Sequence, residues 1–147
     1  MVGAVVLAGT AASRSGAGLV TLAVPDRCLE TVASFDANYM TVPLANDDEG
    51  KISAEAVADL LTLCETPTSV GLGPGMSRGR GVTKIVLELY QSYAGPMVVD
   101  ADGLNALANL DKLPNSPGPR VLTPHVGEFR RLFGEDLSVD ECRCSAS

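Results

Sequence analysis

Short apolar runs alternate with helix-like segments along most of the chain, and this alternation constrains the fold more than any other feature. The runs are GLVTLAVP at 18–25, SVGLG at 69–73, MVVD at 97–100 and RVLT at 120–123. Such alternation is typical of parallel strands with helices packed on the faces of the sheet. Because the runs show no period-two alternation, they predict strands that are covered on both sides. The sequence therefore predicts one α/β domain with a mainly parallel sheet.

The segments between these runs predict helices, some from a clear apolar period and others only from composition or a capping residue. Residues 3–15 are rich in alanine, Asp26 is placed to cap a helix that runs to about Tyr39, and Ser53 opens a third helix. A short edge strand is expected at 41–44. The clearest helical period in the chain joins six apolar residues: Val82, Ile85, Val86, Leu89, Tyr90 and Tyr93.

Two further helices are expected in the second half of the chain. One begins at about Asp102, directly after the run at 97–100. The other follows Pro124 and places Phe129, Leu132 and Phe133 on one side. Each of these helices follows a predicted strand, as the α/β pattern requires.

Charge and composition exclude several classes of function. The chain has 147 residues and a formal net charge of −7, which argues against nucleic acid or an acidic membrane surface as a partner. No apolar run is long enough to span a membrane, and the apolar start has no basic region before it, so we do not expect a signal peptide. The four cysteines form no Cys-x-x-Cys pair, so we expect reduced thiols in the cytoplasm and no zinc site: Cys28, Cys64, Cys142 and Cys144.

Several motifs are expected at one edge of the sheet. In an open α/β sheet, ligands bind beyond the carboxyl ends of the strands. Gly73-Pro74-Gly75, Asp100-Ala101-Asp102 and Thr123-Pro124-His125 each follow a predicted strand. The glycine turn at 16–18 precedes a strand instead, so the helix before it should begin at the ligand edge, near Ala4.

Each of these motifs also has a purely structural interpretation. The glycine loop at 73–75 matches neither a P-loop nor a Rossmann fingerprint, and serves equally as a strand-to-helix turn. Asp102 is a good helix N-cap. Asp100 ends a buried strand, where a carboxylate needs a partner or a site, such as a sugar hydroxyl or a hydrated magnesium ion. His125 is either a surface residue or, with Gly127 and Glu128, part of a ligand clamp.

Four runs in this order resemble the ADP/ATP-dependent NAD(P)H-hydrate dehydratases, a carbohydrate-kinase-like family. They are GAVVLAGTAASRSGAGLVTLAVP at 3–25, GLGPGMSRG at 71–79, PMVVDADGLNAL at 96–107 and VLTPHVGEFRRLFG at 121–134. The resemblance implies a ribokinase-like three-layer α/β sandwich. It also implies a hydro-lyase of nicotinamide nucleotide repair, which removes water from hydrated NADH or NADPH with ADP or ATP as phosphate donor and Mg²⁺.

The resemblance also assigns residues to the substrate site. Ala4, Gly75 and His125 would contact the hydrated dinucleotide. The following helix start would line the same pocket, through Val126, Gly127, Glu128 and Phe129. We add three polar candidates from the neighbouring strand end: Asp100, Asp102 and Asn105. No metal ligand is assigned.

The sequence departs from the family pattern at both ends. A first strand, a Lys-Gly segment and a Gly-Thr-Gly-Asp motif, whose aspartate is catalytic in the family, have no match here. We therefore expect a partial domain at 1–134, with a sheet incomplete at both ends, and a divergent or disordered tail at 135–147. The chain would hold the dinucleotide side of the site, be inactive alone, and form a homo-oligomer or bind a completing chain.

Two other functions fit the same motifs. One is a small-molecule kinase of the ribokinase-like fold, acting on an alcohol such as hydroxyethylthiazole. The other is a remnant that binds a dinucleotide without catalysis. Substrate choice separates the kinase from the dehydratase, and binding without turnover would indicate the remnant.

Overall fold

A computed structural model describes residues 1–134 and shows helices and strands in near-strict alternation. The elements are α1 (Val2–Arg14), β1 (Val20–Pro25), α2 (Leu29–Ala33), β2 (Tyr39–Leu44), α3 (Val57–Leu63), β3 (Val70–Leu72), α4 (Arg80–Ser92), β4 (Met97–Val99), α5 (Ala101–Leu107), β5 (Arg120–Leu122) and α6 (Val126–Phe133). The predicted α/β class is confirmed. The tail predicted at 135–147 lies outside the described residues.

The strands form two parallel sheets in the described part of the chain. β1 pairs with β2, with Val20 opposite Tyr39, and β4 lies between β3 and β5. Every ladder in both sheets is parallel, as the alternation predicts. We expected one sheet, and the described residues divide it between β1-β2 and β3-β4-β5.

Two hydrophobic cores lie on the faces of these sheets. The smaller core joins α1 and α2 to β1, through buried residues such as Val6, Val24 and Val32. The larger core joins the sheet β3-β4-β5 to α4 and α5, and also includes Leu44 at the end of β2. All six residues of the predicted α4 period are buried. The period of α4 therefore reflects its position against this larger core.

One face of the sheet β3-β4-β5 is open among the described residues. Val98 and Val121 are neighbours in register and are 43% and 55% exposed, whereas Met97 and Val99 are buried. The prediction of strands covered on both sides is therefore wrong for this face. A strand of three residues is too short to show whether its middle side chain points to a core or to solvent.

One helix prediction is wrong in part. Asp26 begins a 3-10 turn without a side-chain cap, α2 ends at Ala33, and the Asp36 carboxylate accepts the Asn38 backbone N–H at 3.0 Å before β2. This local turn replaces the helix expected to run to Tyr39. In α6, Phe129 is buried and Phe133 is 48% exposed, but their ring centroids lie 4.7 Å apart, so the two rings share one side of the helix, as predicted. None of the helices between residues 1 and 134 has the length and hydropathy to cross a membrane.

Candidate functional site

The glycine loop after β3 lies against the start of α1 and the turn after β4. Gly73 has a φ of 122°, and a methyl group there would overlap the Asp100 carbonyl oxygen and lie 2.8 Å from the Gly103 nitrogen. Gly75 has a φ of 76°, and a methyl group there would lie 3.1 Å from the Ala4 Cβ. Glycine is required because the backbone conformation and the close approach both exclude a side chain. The structure therefore brings Ala4 and Gly75 together.

The turn after β4 holds the two aspartates in different roles. The Asp100 N–H donates to the Leu72 carbonyl at 3.0 Å, and its side chain makes no cap to α5. Ala101 between them has a φ of 47°, a left-handed conformation that costs roughly 1 to 2 kcal/mol for a residue with a Cβ. Non-glycine residues in this conformation cluster at functional sites, where the surroundings hold them in place.

Asp102 does not cap α5, in contrast to the structural interpretation of its position. The N-cap position of α5 is Asp100, and Asp102 lies in the first turn of that helix. Its carboxylate instead accepts the backbone N–H of Ser77 at 2.7 Å. Asp102 therefore fixes the loop that follows β3 to the helix that follows β4.

His125 and Glu128 form a reciprocal cap at the start of α6. The His125 Nδ1 accepts the backbone N–H of Gly127 at 3.0 Å and that of Glu128 at 3.3 Å, and a Glu128 carboxylate oxygen accepts the His125 N–H at 3.0 Å. Because Nδ1 accepts, the proton of the neutral ring lies on Nε2. The His125 side chain is 67% exposed and that of Glu128 is 8% exposed. The cap therefore orients an accessible imidazole by means of a buried carboxylate.

The other predicted residues of α6 and α5 have distinct environments. Val126 is 43% exposed at the helix start. Phe129 is buried, with its ring centroid 4.7 Å from that of Phe133. Asn105 lies half-buried on α5, and its side-chain oxygen accepts from Arg131 of α6.

A cavity of about 300 Å³ lies between the loop after β3, α5 and α6. Two of the predicted polar residues, Asp102 and Asn105, line it. Sequence reasoning missed the five other polar residues of the lining: Ser77, Arg78, Thr83, Asn109 and Arg131. A signal for Arg131 existed, since it lies one helical turn after Gly127 and its Nε donates to the Gly127 carbonyl at 3.1 Å.

The described residues do not make a magnesium site by themselves. Between residues 1 and 134, no three His, Cys, Asp or Glu side chains come close enough to share a metal ion. Asp100 and Asp102 supply two carboxylates, but one oxygen of Asp102 is already engaged by Ser77. Hard cations need several oxygen ligands, so this pair is insufficient, and we derive no step through Mg²⁺.

Comparison with known proteins identifies relatives along nearly the whole chain. The family model described as NAD(P)H-hydrate dehydratase, of the carbohydrate kinase type, matches residues 1–145. A bifunctional NAD(P)H-hydrate repair enzyme, Nnr, of Salinibacter ruber is 43% identical over 142 residues, which cover 95% of this chain and 26% of that protein.

Two solved structures share the fold. An ADP/ATP-dependent NAD(P)H-hydrate dehydratase from Bacillus subtilis, co-crystallised with ATP and Mg²⁺ and soaked with CoA, has a TM-score of 0.67 and 25% identity. The match covers 98% of this chain and 47% of that one. A ribokinase-like superfamily protein from Enterococcus faecalis has a TM-score of 0.71 at 20% identity, and covers 98% of this chain and 50% of its own. This second likeness bears on the fold alone.

These comparisons confirm the resemblance and the ribokinase-like α/β fold. The chain spans about a quarter of the length of the curated relatives that it matches and about half of the solved structures. Since the family model covers 145 of 147 residues, this chain belongs to the NAD(P)H-hydrate dehydratase family of hydro-lyases.

Proposed function

We propose that this chain supplies the dinucleotide-binding part of a site that dehydrates hydrated NADH or NADPH, with ADP or ATP as phosphate donor and Mg²⁺. The observation that carries the proposal is the contact between Ala4 and Gly75, beyond the carboxyl end of β3, with His125 beyond the carboxyl end of β5. β4 separates these two parallel strands, so both groups lie on the same edge of one sheet.

The chemistry requires a poor leaving group to become a good one. The hydrated ring carries a hydroxyl on C6, and transfer of a phosphoryl group from the nucleotide to its oxygen gives a phosphate ester. The C6–O bond then breaks, phosphate leaves, and loss of a proton from C5 restores the ring double bond. The work of the protein in such a transfer is mainly positioning and charge stabilisation.

The residues of this chain fit the positioning part of that work. Because Gly75 has no side chain, the start of α1 packs directly against its backbone, and the two segments together offer a surface for a flat ring or a sugar. His125 presents an N–H at Nε2, because its Nδ1 accepts two backbone N–H groups, and this Nε2–H can donate to a hydroxyl or amide oxygen of the dinucleotide.

Equilibrium binding tests the proposal. We expect isothermal titration of the chain with hydrated NADPH to show saturable binding, and Gly75→Ala to weaken it at least about tenfold, since the added methyl displaces the ligand surface or the start of α1. The matched control is Gly3→Ala, because Gly3 is exposed and a methyl group there meets nothing within 4 Å. Absence of binding by the unmodified chain, or equal binding by both variants, would overturn the proposal.

An assay at 340 nm separates this function from that of a kinase. Hydrated NADH is supplied with ADP or ATP and Mg²⁺, and a thiazole alcohol is supplied in parallel with ATP. Nucleotide-dependent phosphorylation of the alcohol without binding of hydrated NADH would favour the kinase. We place the protein in the cytoplasm. We also expect it to form a homo-oligomer or to bind a completing chain, and sedimentation of the purified chain tests this assembly.

A further inference from the structure

The cavity beside the candidate site is polar and contains two guanidinium groups. It lies between the loop after β3, the start of α4, one side of α5 and the middle of α6, and it opens to solvent. Its lining residues with charged or hydrogen-bonding side chains are Ser77, Arg78, Thr83, Asp102, Asn105, Asn109 and Arg131. Its volume of about 300 Å³ is at the lower end of the range for small-molecule sites.

The positive charges of this cavity are not neutralised by ion pairs within residues 1–134. The salt bridge there joins Lys51 to Glu49, and the contact between His125 and Glu128 is an ion pair only when the imidazole is protonated; neither contact includes Arg78 or Arg131. Among the residues that line the cavity, Asp102 is the only one with a negative charge.

Arg131 is held in place by neutral partners. Its Nε donates to the Gly127 carbonyl at 3.1 Å and its Nη1 donates to the Asn105 side-chain oxygen, which leaves Nη2 available to a ligand. The opposing Asp102 carboxylate already accepts the Ser77 N–H. The cavity therefore combines two guanidinium charges with one carboxylate that is partly satisfied, and its net charge favours an anion.

We propose that this cavity is a phosphate subsite, in which Arg78 and Arg131 bind the phosphoryl oxygens of a nicotinamide nucleotide. The proposal rests on the proposed function and extends it to residues that the family resemblance does not assign. A guanidinium matches the geometry of a phosphate group in two parallel hydrogen bonds, and two of them offset a charge of about −2. The hydroxyl of Thr83 and the amides of Asn105 and Asn109 add neutral hydrogen-bonding groups.

The position of the cavity fits a nucleotide that extends from the candidate site. Ser77 is two residues after Gly75, and Arg131 is one helical turn after Gly127. The same two segments that hold Gly75 and His125 thus continue into the cavity wall. A nucleotide with its ring at the rim would place a phosphate at this end, either from the pyrophosphate or from the 2′-phosphate of NADPH.

The test compares three variants of the full chain. Arg78→Gln and Arg131→Gln each remove one guanidinium of the cavity, and Arg130→Gln removes a charge from the adjacent exposed position, which does not line it. We expect both cavity variants to raise the Kd for NADPH by about tenfold or more, because each loses a charged hydrogen bond, while Arg130→Gln stays within about twofold. Unchanged NADPH binding in both cavity variants would overturn the proposal.

Further ligands identify the phosphate and separate this proposal from the previous one. A loss confined to NADPH assigns the subsite to the 2′-phosphate, and an equal loss for NADH assigns it to the pyrophosphate. Binding of inorganic phosphate that depends on Arg78 and Arg131, without binding of either nucleotide, would support the subsite and contradict the proposed function. Nucleotide binding that ignores both arginines would contradict the subsite alone. Arg131→Lys keeps a positive charge and should restore part of the affinity for NADPH. The far-ultraviolet circular dichroism of each variant shows whether it is folded, so misfolding can be excluded as the cause of a loss in affinity.

Discussion

Replacement of Gly73 by alanine tests the packing of the glycine loop against the turn after β4. Gly73 has a φ of 122°, and the added methyl group would overlap the carbonyl oxygen of Asp100. Neither neighbour can move freely, since the Asp100 N–H is bonded to Leu72 and its carbonyl accepts the Gly103 N–H at 2.9 Å. We therefore expect the loop and the turn to separate.

The expected loss follows from two terms. A residue with a Cβ in this backbone region costs about 1 to 3 kcal/mol, and overpacking against backbone costs about 1 to 3 kcal/mol more. The free energy of unfolding should fall by roughly 2 to 6 kcal/mol, a large part of the 5 to 15 kcal/mol of an ordinary domain. Because the same loop carries Gly75 and Ser77, the affinity for hydrated NADPH should fall as well.

The control lies two residues earlier in β3. A methyl group at Gly71 meets nothing within 4 Å, so Gly71→Ala should be neutral or stabilising by up to about 1 kcal/mol. Urea unfolding followed by circular dichroism gives both values on one scale. If Gly73→Ala unfolds at the same urea concentration as Gly71→Ala, the contact between the loop and the turn is not as described, and the reasoning fails.

Three further predictions concern the stability of the fold. Arg120 donates to the carbonyls of Tyr90 at 2.7 Å and of Gly95 at 3.0 Å. Arg120→Met should therefore lower the free energy of unfolding in urea by about 2 to 4 kcal/mol, whereas Arg130→Met, at an exposed position, should lower it by less than about 0.5 kcal/mol. Equal losses in the two variants would contradict this prediction. Glu128→Ala removes half of the reciprocal cap and should cost about 1 to 2 kcal/mol in the same assay, and an unchanged midpoint would argue against the cap. Burial raises the pKa of the Tyr93 hydroxyl above its ordinary value of 10.0, and the neutral hydroxyl donates to the Pro67 carbonyl at 2.9 Å. This contribution to stability is complete below pH 10 and is lost as the pH rises through the raised pKa. Above pH 10 the thermal midpoint of the unmodified chain should therefore fall more steeply than that of Tyr93→Phe. Parallel curves for the two proteins would refute this prediction.

The sequence predicted best the helices whose apolar period reflects the packing of one face against a hydrophobic core. The six-residue period in α4 placed its buried face correctly, because each of those side chains faces the larger core. The helix expected from Asp26 to Tyr39 failed because local hydrogen bonds decide that segment. The Asp36 side chain bonds to Asn38, a turn that competes with a helix and carries no hydrophobic period.

The sequence could predict where the candidate site lies in the fold, but not which of its residues contact one another. Placement at the carboxyl ends of β3 and β5 follows from the α/β topology. The bond from the Ser77 N–H to Asp102 joins residues 25 apart in the chain, and that from Arg131 to Asn105 joins residues 26 apart. Local sequence carries no signal for such pairs, so the sequence predicts a helix cap at Asp102 and does not predict Arg78; for Arg131 it offers only the position one helical turn after Gly127. The open face at Val98 and Val121 was missed for the same reason, since burial depends on elements distant in sequence.

Residue-resolved NMR with hydrated NADPH tests the central claim most directly. The claim is that the nucleotide lies across Gly75 and the start of α6. Titration of the ¹⁵N-labelled chain should shift the amide signals of Gly75, Gly127 and Glu128 along one saturation curve, while that of Gly118, which packs against Ala94 and Gly95, stays in place. No shift at Gly75 and Gly127 at saturating ligand, or shifts that centre on Gly118, would contradict the account.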